Sequence, residues 1–89
     1  MTHYDIRVYG KVQGVFYRAN TLRTATELGV WGWVKNEKDG SVSIAAEGPK
    51  PQLNKLIQWC KQGPTYAHVE QVIYSEGPIQ NIHGFRIIR

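Results

Sequence analysis

Cysteine is nearly absent from this 89-residue sequence, in which Cys60 stands alone. A lone cysteine excludes an internal disulfide and a cysteine metal cluster, and it fits a reducing compartment. Long apolar runs are missing, so no stretch reaches the roughly 20 residues of a membrane-spanning helix. Met1-Thr2-His3 leads straight into a strand-like pattern, with no signal-peptide segment. These absences predict a cytoplasmic protein with no membrane partner. Histidine is scarce, and His3, His68 and His83 lack metal-ligand spacing; they read as surface or loop residues. No linker, internal repeat or low-complexity tract interrupts the chain, so residues 1–89 are expected to form a single domain.

Charge is only mildly one-sided. Lys+Arg 11 against Asp+Glu 7 gives +4, spread along the chain. This suits a small anion and does not demand nucleic acid. A domain of this size buries roughly 60–65% of the surface its unfolded chain exposes, enough for one core without metal or disulfide.

Tyr4, Ile6 and Val8 alternate with Asp5, Arg7 and Tyr9, which predicts a half-buried strand ending at Gly10. Arg18 to Leu28 reads as a helix with Leu22, Ala25 and Leu28 inward and Gly29 as its stop. Val30 to Asn36 and Ser41 to Glu47 read as strands, joined by the turn chemistry of Glu37-Lys38-Asp39-Gly40 into an antiparallel hairpin. Leu53, Leu56, Ile57 and Cys60 recur at i, i+3, i+4, i+7 and mark a second helix, ended by Gly63-Pro64. Ala67 to Tyr74 is a fourth strand in which Val69 and Val72 have opposite parity, a conflict that a bulge would reconcile. Phe85 to Ile88 closes the chain as a short fifth strand at an edge. Strand, helix, strand, strand, helix, strand is the order of an α+β, ferredoxin-like βαββαβ sandwich. Its two helices cover one face of an antiparallel sheet.

The stretch richest in chemistry is Gly10-Lys11-Val12-Gln13-Gly14-Val15-Phe16-Tyr17-Arg18, between the first strand and the first helix. Gly14 allows a turn through φ > 0. Such a turn gathers backbone N–H groups into an anion-binding concavity, as a helix N-terminus does. Arg18 adds a planar charged fork that fits phosphate bidentately. Two readings stand on the residues alone: a phosphate cradle, or a tight turn followed by a surface arginine. The stretch is neither Gly-x-x-x-x-Gly-Lys-Ser/Thr nor Gly-x-Gly-x-x-Gly, so nothing in it favours a nucleotide.

Gly10-x-Val12-Gln13-Gly14-Val15-x-x-Arg18 resembles the signature of the acylphosphatases. Ala25, Leu28-Gly29-Val30, Gly32-Trp33-Val34-x-Asn36, Asp39-Gly40-x-Val42 and Glu47-Gly48 continue the resemblance in order. Gly63-Pro64, Ala67-x-Val69-x-x-Val72 and Phe85-x-Ile87 extend it more loosely. The residue before the arginine is usually Phe in that family and is Tyr17 here; if the ring is buried, its hydroxyl needs a partner.

The resemblance implies a small metal-free hydrolase of acyl phosphates, working as a monomer without a cofactor. Inorganic phosphate or sulfate would then be a competing anion. Arg18 would hold the phosphate with backbone donors from Gln13, Gly14, Val15, Phe16 and Tyr17, and Asn36 would orient the attacking water. By itself Asn36 reads as a turn former, and the Phe16 ring reads as packing more readily than as a substrate contact. Cys60 is expected buried and inert, and Glu37 and Asp39 belong to a turn. An RNA-recognition module shares the element order but needs aromatics on its third strand, and Ser41-Val42-Ser43-Ile44-Ala45-Ala46 has none. A domain that binds phosphate or acts on carbamoyl phosphate within a larger protein is a third reading; the end of the chain at Arg89 is read against the larger protein, though not against carbamoyl phosphate as a substrate.

Overall fold

A computed structural model describes residues 1–89. The elements are β1 (Thr2–Lys11), α1 (Tyr17–Leu28), β2 (Trp31–Asn36), β3 (Val42–Gly48), α2 (Lys50–Gln62), β4 (His68–Gly77) and β5 (Phe85–Ile88). They form one five-stranded sheet in the order β4-β1-β3-β2-β5. The first four strands pair antiparallel, whereas β5 runs parallel to β2 at the edge. The sheet is therefore mixed rather than wholly antiparallel. A four-residue strand has no periodicity long enough to announce its direction, which is set by the route of the preceding connection.

The period-two pattern of β1 sends Tyr4, Ile6 and Val8 into the core with Val34, Val42, Ile44 and Ala46. Leu53, Leu56, Ile57 and Cys60 of α2 complete it, all buried, at the spacing expected of one helix face. On α1 the inward stripe is Tyr17, Thr21 and Ala25, at steps of four from Tyr17. Leu22, expected inward, is half-exposed, and Thr21 takes the buried place because its hydroxyl bonds back to Tyr17 O at 2.8 Å.

The expected bulge lies where β4 meets β1. Tyr9 faces Gln71 and Gly10 faces Val69, leaving Glu70 unmatched. Val69 and Val72 thus both pack against the core. Gly10 has φ +126, and a Cβ there would stand 2.2 Å from His68 O, so the site admits only glycine.

His3 is not the surface residue its spacing suggested; only 1% of it is exposed. Its Nδ1 lies 2.8 Å from Glu47 Oε2 and its Nε2 lies 2.8 Å from Asp5 Oδ1. Burial pulls its pKa down, but the bonds and charges of Asp5 and Glu47 outweigh this and hold it raised. Burial pushes Glu47 up, yet the N–H groups of Gln80 and Ile82 together with His3 hold it below the usual carboxylate range. Those two N–H groups donate to the Glu47 carboxylate and tie down the connection from β4 to β5, which lie on opposite edges. Alternation along β1 could not disclose this cluster, because its partners are 44 and 33–35 residues away in sequence.

Candidate active site

The loop from β1 to α1 is anchored from below and open above. Val12 and Val15 are buried in the core. The Gln13 amide donates to Glu37 O at 2.8 Å and Ser41 O at 2.9 Å, which ties the loop to the β2–β3 turn. Gly14 sits at φ 72 with open space where a Cβ would stand, so its backbone conformation is what calls for glycine. Phe16 is also left-handed, at φ 64, a strain on the order of 1–3 kcal/mol for a residue with a side chain. Gly14 and Phe16, both left-handed with one residue between them, turn the chain sharply between β1 and α1.

Phe16 is the N-cap of α1, and no side chain caps the helix or places an acid in its first turn. The first intrahelical bond runs from Asn20 N to Phe16 O at 3.1 Å. The N–H groups of Tyr17, Arg18 and Ala19 precede it and have no acceptor within the helix. With the helix dipole they give this end a positive potential.

One cavity of about 300 Å³ collects these groups. Its walls are Val12, Gly14, Phe16, Tyr17, Arg18, Ala19, Asn36, Ile87 and Arg89. Arg18 and Asn36, far apart in sequence, therefore share a cavity whose walls include no acidic side chain. Arg18 is half-buried and takes part in none of the ion pairs of the protein. Asn36 ends β2 opposite Val42, with its Oδ1 buried and accepting no hydrogen bond from the protein. The β2–β3 turn is closed without its side chain. Glu37 N donates to Ser41 O at 2.8 Å, Asp39 Oδ1 accepts from Ser41 N at 2.9 Å, and Gly40 takes φ 92. A buried acceptor without a protein partner is costly unless water or ligand pairs with it.

Gln13, Gly14, Val15, Phe16 and Tyr17 thus form the loop, with Arg18 at its end. The packing expected of Phe16 is overturned, since its ring is 72% exposed on the rim. Its backbone conformation directs the side chain outward while Val15 fills the core beneath. Ile87 and Arg89 escaped sequence reasoning, because they reach the site only through the parallel pairing of β5 with β2, where Val34 faces Ile87.

A larger cleft of about 440 Å³ lies on the sheet face opposite the helices, lined among others by Asp5, Arg7, Trp33, Glu37 and Ser43. Its charged groups are already engaged: Arg7 donates to Ser41 Oγ and lies 3.7 Å from Asp39, Asp5 is hydrogen-bonded to His3, and Glu37 accepts from Ser43. The smaller cavity, with an uncommitted arginine and a helix N-terminus, is the better place for anion chemistry.

Tyr17 is 1% exposed, and its hydroxyl finds the partner it needs in Cys60 O at 2.9 Å. That carbonyl lies in the last turn of α2, where the residue four ahead is Pro64, which has no N–H to offer. Burial pushes the Tyr17 hydroxyl far above its ordinary pKa, and pushes the Cys60 thiol up to about 12, so both stay protonated. Tyr17→Phe leaves Cys60 O unpaired and is expected to cost about 1–3 kcal/mol of stability without loss of turnover. Thermal denaturation and a turnover assay check this; a folded variant with little activity would give the hydroxyl a chemical role.

Comparisons with known proteins show the family and the fold. The family model described as Acylphosphatase matches residues 4–87. An acylphosphatase of Marinobacter nauticus is 49% identical over 87 residues, covering 97% of this chain and 95% of the relative. The crystal structure of acylphosphatase from Bacillus subtilis superposes with a TM-score of 0.97 at 36% identity, covering 100% of both chains. The crystal structure of HypF from T. kodakarensis matches at 30% identity and a TM-score of 0.87, covering 100% of this chain and 12% of that longer one.

Proposed function

The chain belongs to the acylphosphatase family and is an enzyme that hydrolyses acyl phosphates, and we propose that Arg18, the 13–17 backbone and Asn36 carry out that reaction. The observation that carries this reading is the convergence of an unpaired arginine, an uncapped helix start and an unpartnered asparagine oxygen in one cavity.

An acyl phosphate is a mixed anhydride whose leaving group is a carboxylate, so departure needs little help from a general acid. Phosphoryl transfer asks the protein chiefly for positioning and charge stabilisation. The Arg18 guanidinium and the loop N–H groups hold the phosphoryl oxygens. Asn36 accepts a hydrogen bond from water and aims its lone pair at phosphorus. The water oxygen bonds to phosphorus, the bond from phosphorus to the acyl oxygen breaks, and its electron pair leaves with the carboxylate. The water proton passes to a phosphoryl oxygen, so no histidine or carboxylate base is required. The chemistry calls on neither metal nor cofactor. A cytoplasmic monomer is the proposed working form, and the lone buried thiol suits that reducing compartment.

Release of phosphate from benzoyl phosphate tests the reading. Hydrolysis is expected to continue undiminished in excess chelator and to be slowed competitively by inorganic phosphate or sulfate. Loss of activity in chelator would overturn the metal-free mechanism.

A further inference from the structure

We propose that the small cavity next to the phosphate cradle is the acyl-group subsite, and that it takes an uncharged acyl group carrying a ring, held between Phe16 and Tyr66. This rests on the reading of the cradle as the phosphate site. The second cavity, of about 260 Å³, is lined by Val15, Phe16, Asn20, Pro64, Thr65 and Tyr66. Phe16 lines both cavities. In an acyl phosphate the carbonyl carbon is one bridging oxygen away from phosphorus. With the phosphoryl group in the cradle, an acyl group directed past Phe16 enters this second cavity.

Two aromatic rings at this mouth have no structural duty. Phe16 and Tyr66 are each 72% exposed, and neither belongs to the hydrophobic core or pairs with another ring. Glycine would meet the left-handed backbone of residue 16 without strain, yet the position carries a phenyl ring directed into solvent. Both walls are held in place. Asn20 N and Nδ2 both donate to Phe16 O, at 3.1 and 2.9 Å, and Ala67 N closes the Pro64–Ala67 turn on Pro64 O at 3.0 Å. Backbone anchored on both sides of the opening limits the freedom lost on binding. Pockets for drug-sized ligands begin at roughly 300 Å³, so this one suits a single ring or a short chain. Its six lining residues include no charged side chain, so nothing in it would compensate a carboxylate or ammonium on the acyl group.

The test compares kcat and KM for benzoyl phosphate and acetyl phosphate in wild type, Tyr66→Ala and Tyr66→Phe, with inorganic phosphate as competitor. In wild type, benzoyl phosphate is expected to have the lower KM. In Tyr66→Ala the benzoyl-to-acetyl ratio of kcat/KM is expected to fall roughly three- to tenfold, the effect of losing one aromatic contact, with the change in KM. Tyr66→Phe keeps the ring and is expected to keep the ratio. An unchanged ratio in Tyr66→Ala, with phosphate still competing, overturns the subsite and leaves the cradle standing. A wild-type protein that hydrolyses neither substrate overturns the cradle reading itself, and the subsite with it.

Discussion

Arg18→Lys is expected to lose roughly 10²-fold or more in kcat/KM although the charge is kept. In the proposed role of Arg18, its flat donor fork meets two phosphoryl oxygens as charge spreads over them in the transition state. A lysine ammonium brings a point charge on a flexible stem, and it cannot reproduce the paired bonds. Stability is expected to change little, within about 0.5 kcal/mol, because Arg18 enters none of the ion pairs of the protein and is only half-buried. Steady-state kinetics beside a melting curve separate the two effects. A lysine variant that hydrolyses benzoyl phosphate at near wild-type rate would show that charge alone holds the phosphate.

Asn36→Ala is expected to lower kcat by about 10²-fold while phosphate still binds. In its proposed role the amide serves the attacking water, and misplacing a nucleophile costs on that order. KM changes less, because the groups that bind the phosphoryl oxygens remain. Folding is expected to survive, since Asn36 Oδ1 accepts no hydrogen bond from the protein and its removal leaves no partner unpaired. Asn36→Asp separates the roles further. It keeps size and an acceptor, but brings a negative charge close to a phosphate dianion, so substrate binding weakens and added salt partly restores it. A residue needed only for the turn would tolerate Asp well. Near-normal kcat in both variants would return Asn36 to the hairpin.

The sandwich was legible because its signals are local. Alternation in β1, the Asp39-Gly40 turn and the i, i+3, i+4, i+7 stripe of α2 each lie within a dozen residues. The loop that carries the proposed site stood out for a different reason: Gly14 and Arg18 are chemically distinctive, and the loop that bears them is short. What escaped depends on contacts between distant residues. His3 looked like one of three scattered histidines, and only the pairing of β1 with β3 sets it opposite Glu47. Ile87 and Arg89 enter the cavity because β5 crosses to the far edge and runs parallel to β2. Phe16 misled because an aromatic beside valines usually packs inward, whereas its left-handed backbone turns it out to the rim.

The 13–17 loop, the start of α1 and Arg18 are proposed to form one phosphate site. Titration of the protein with inorganic phosphate, followed by backbone amide and arginine Nε chemical shifts, addresses it most directly. Saturable shifts with a single affinity are expected at Gln13 to Ala19 and at Arg18 Nε, with the affinity falling as salt rises. Shifts centred on Arg7 and Ser43 in the open-face cleft, with the loop amides unmoved, would contradict it.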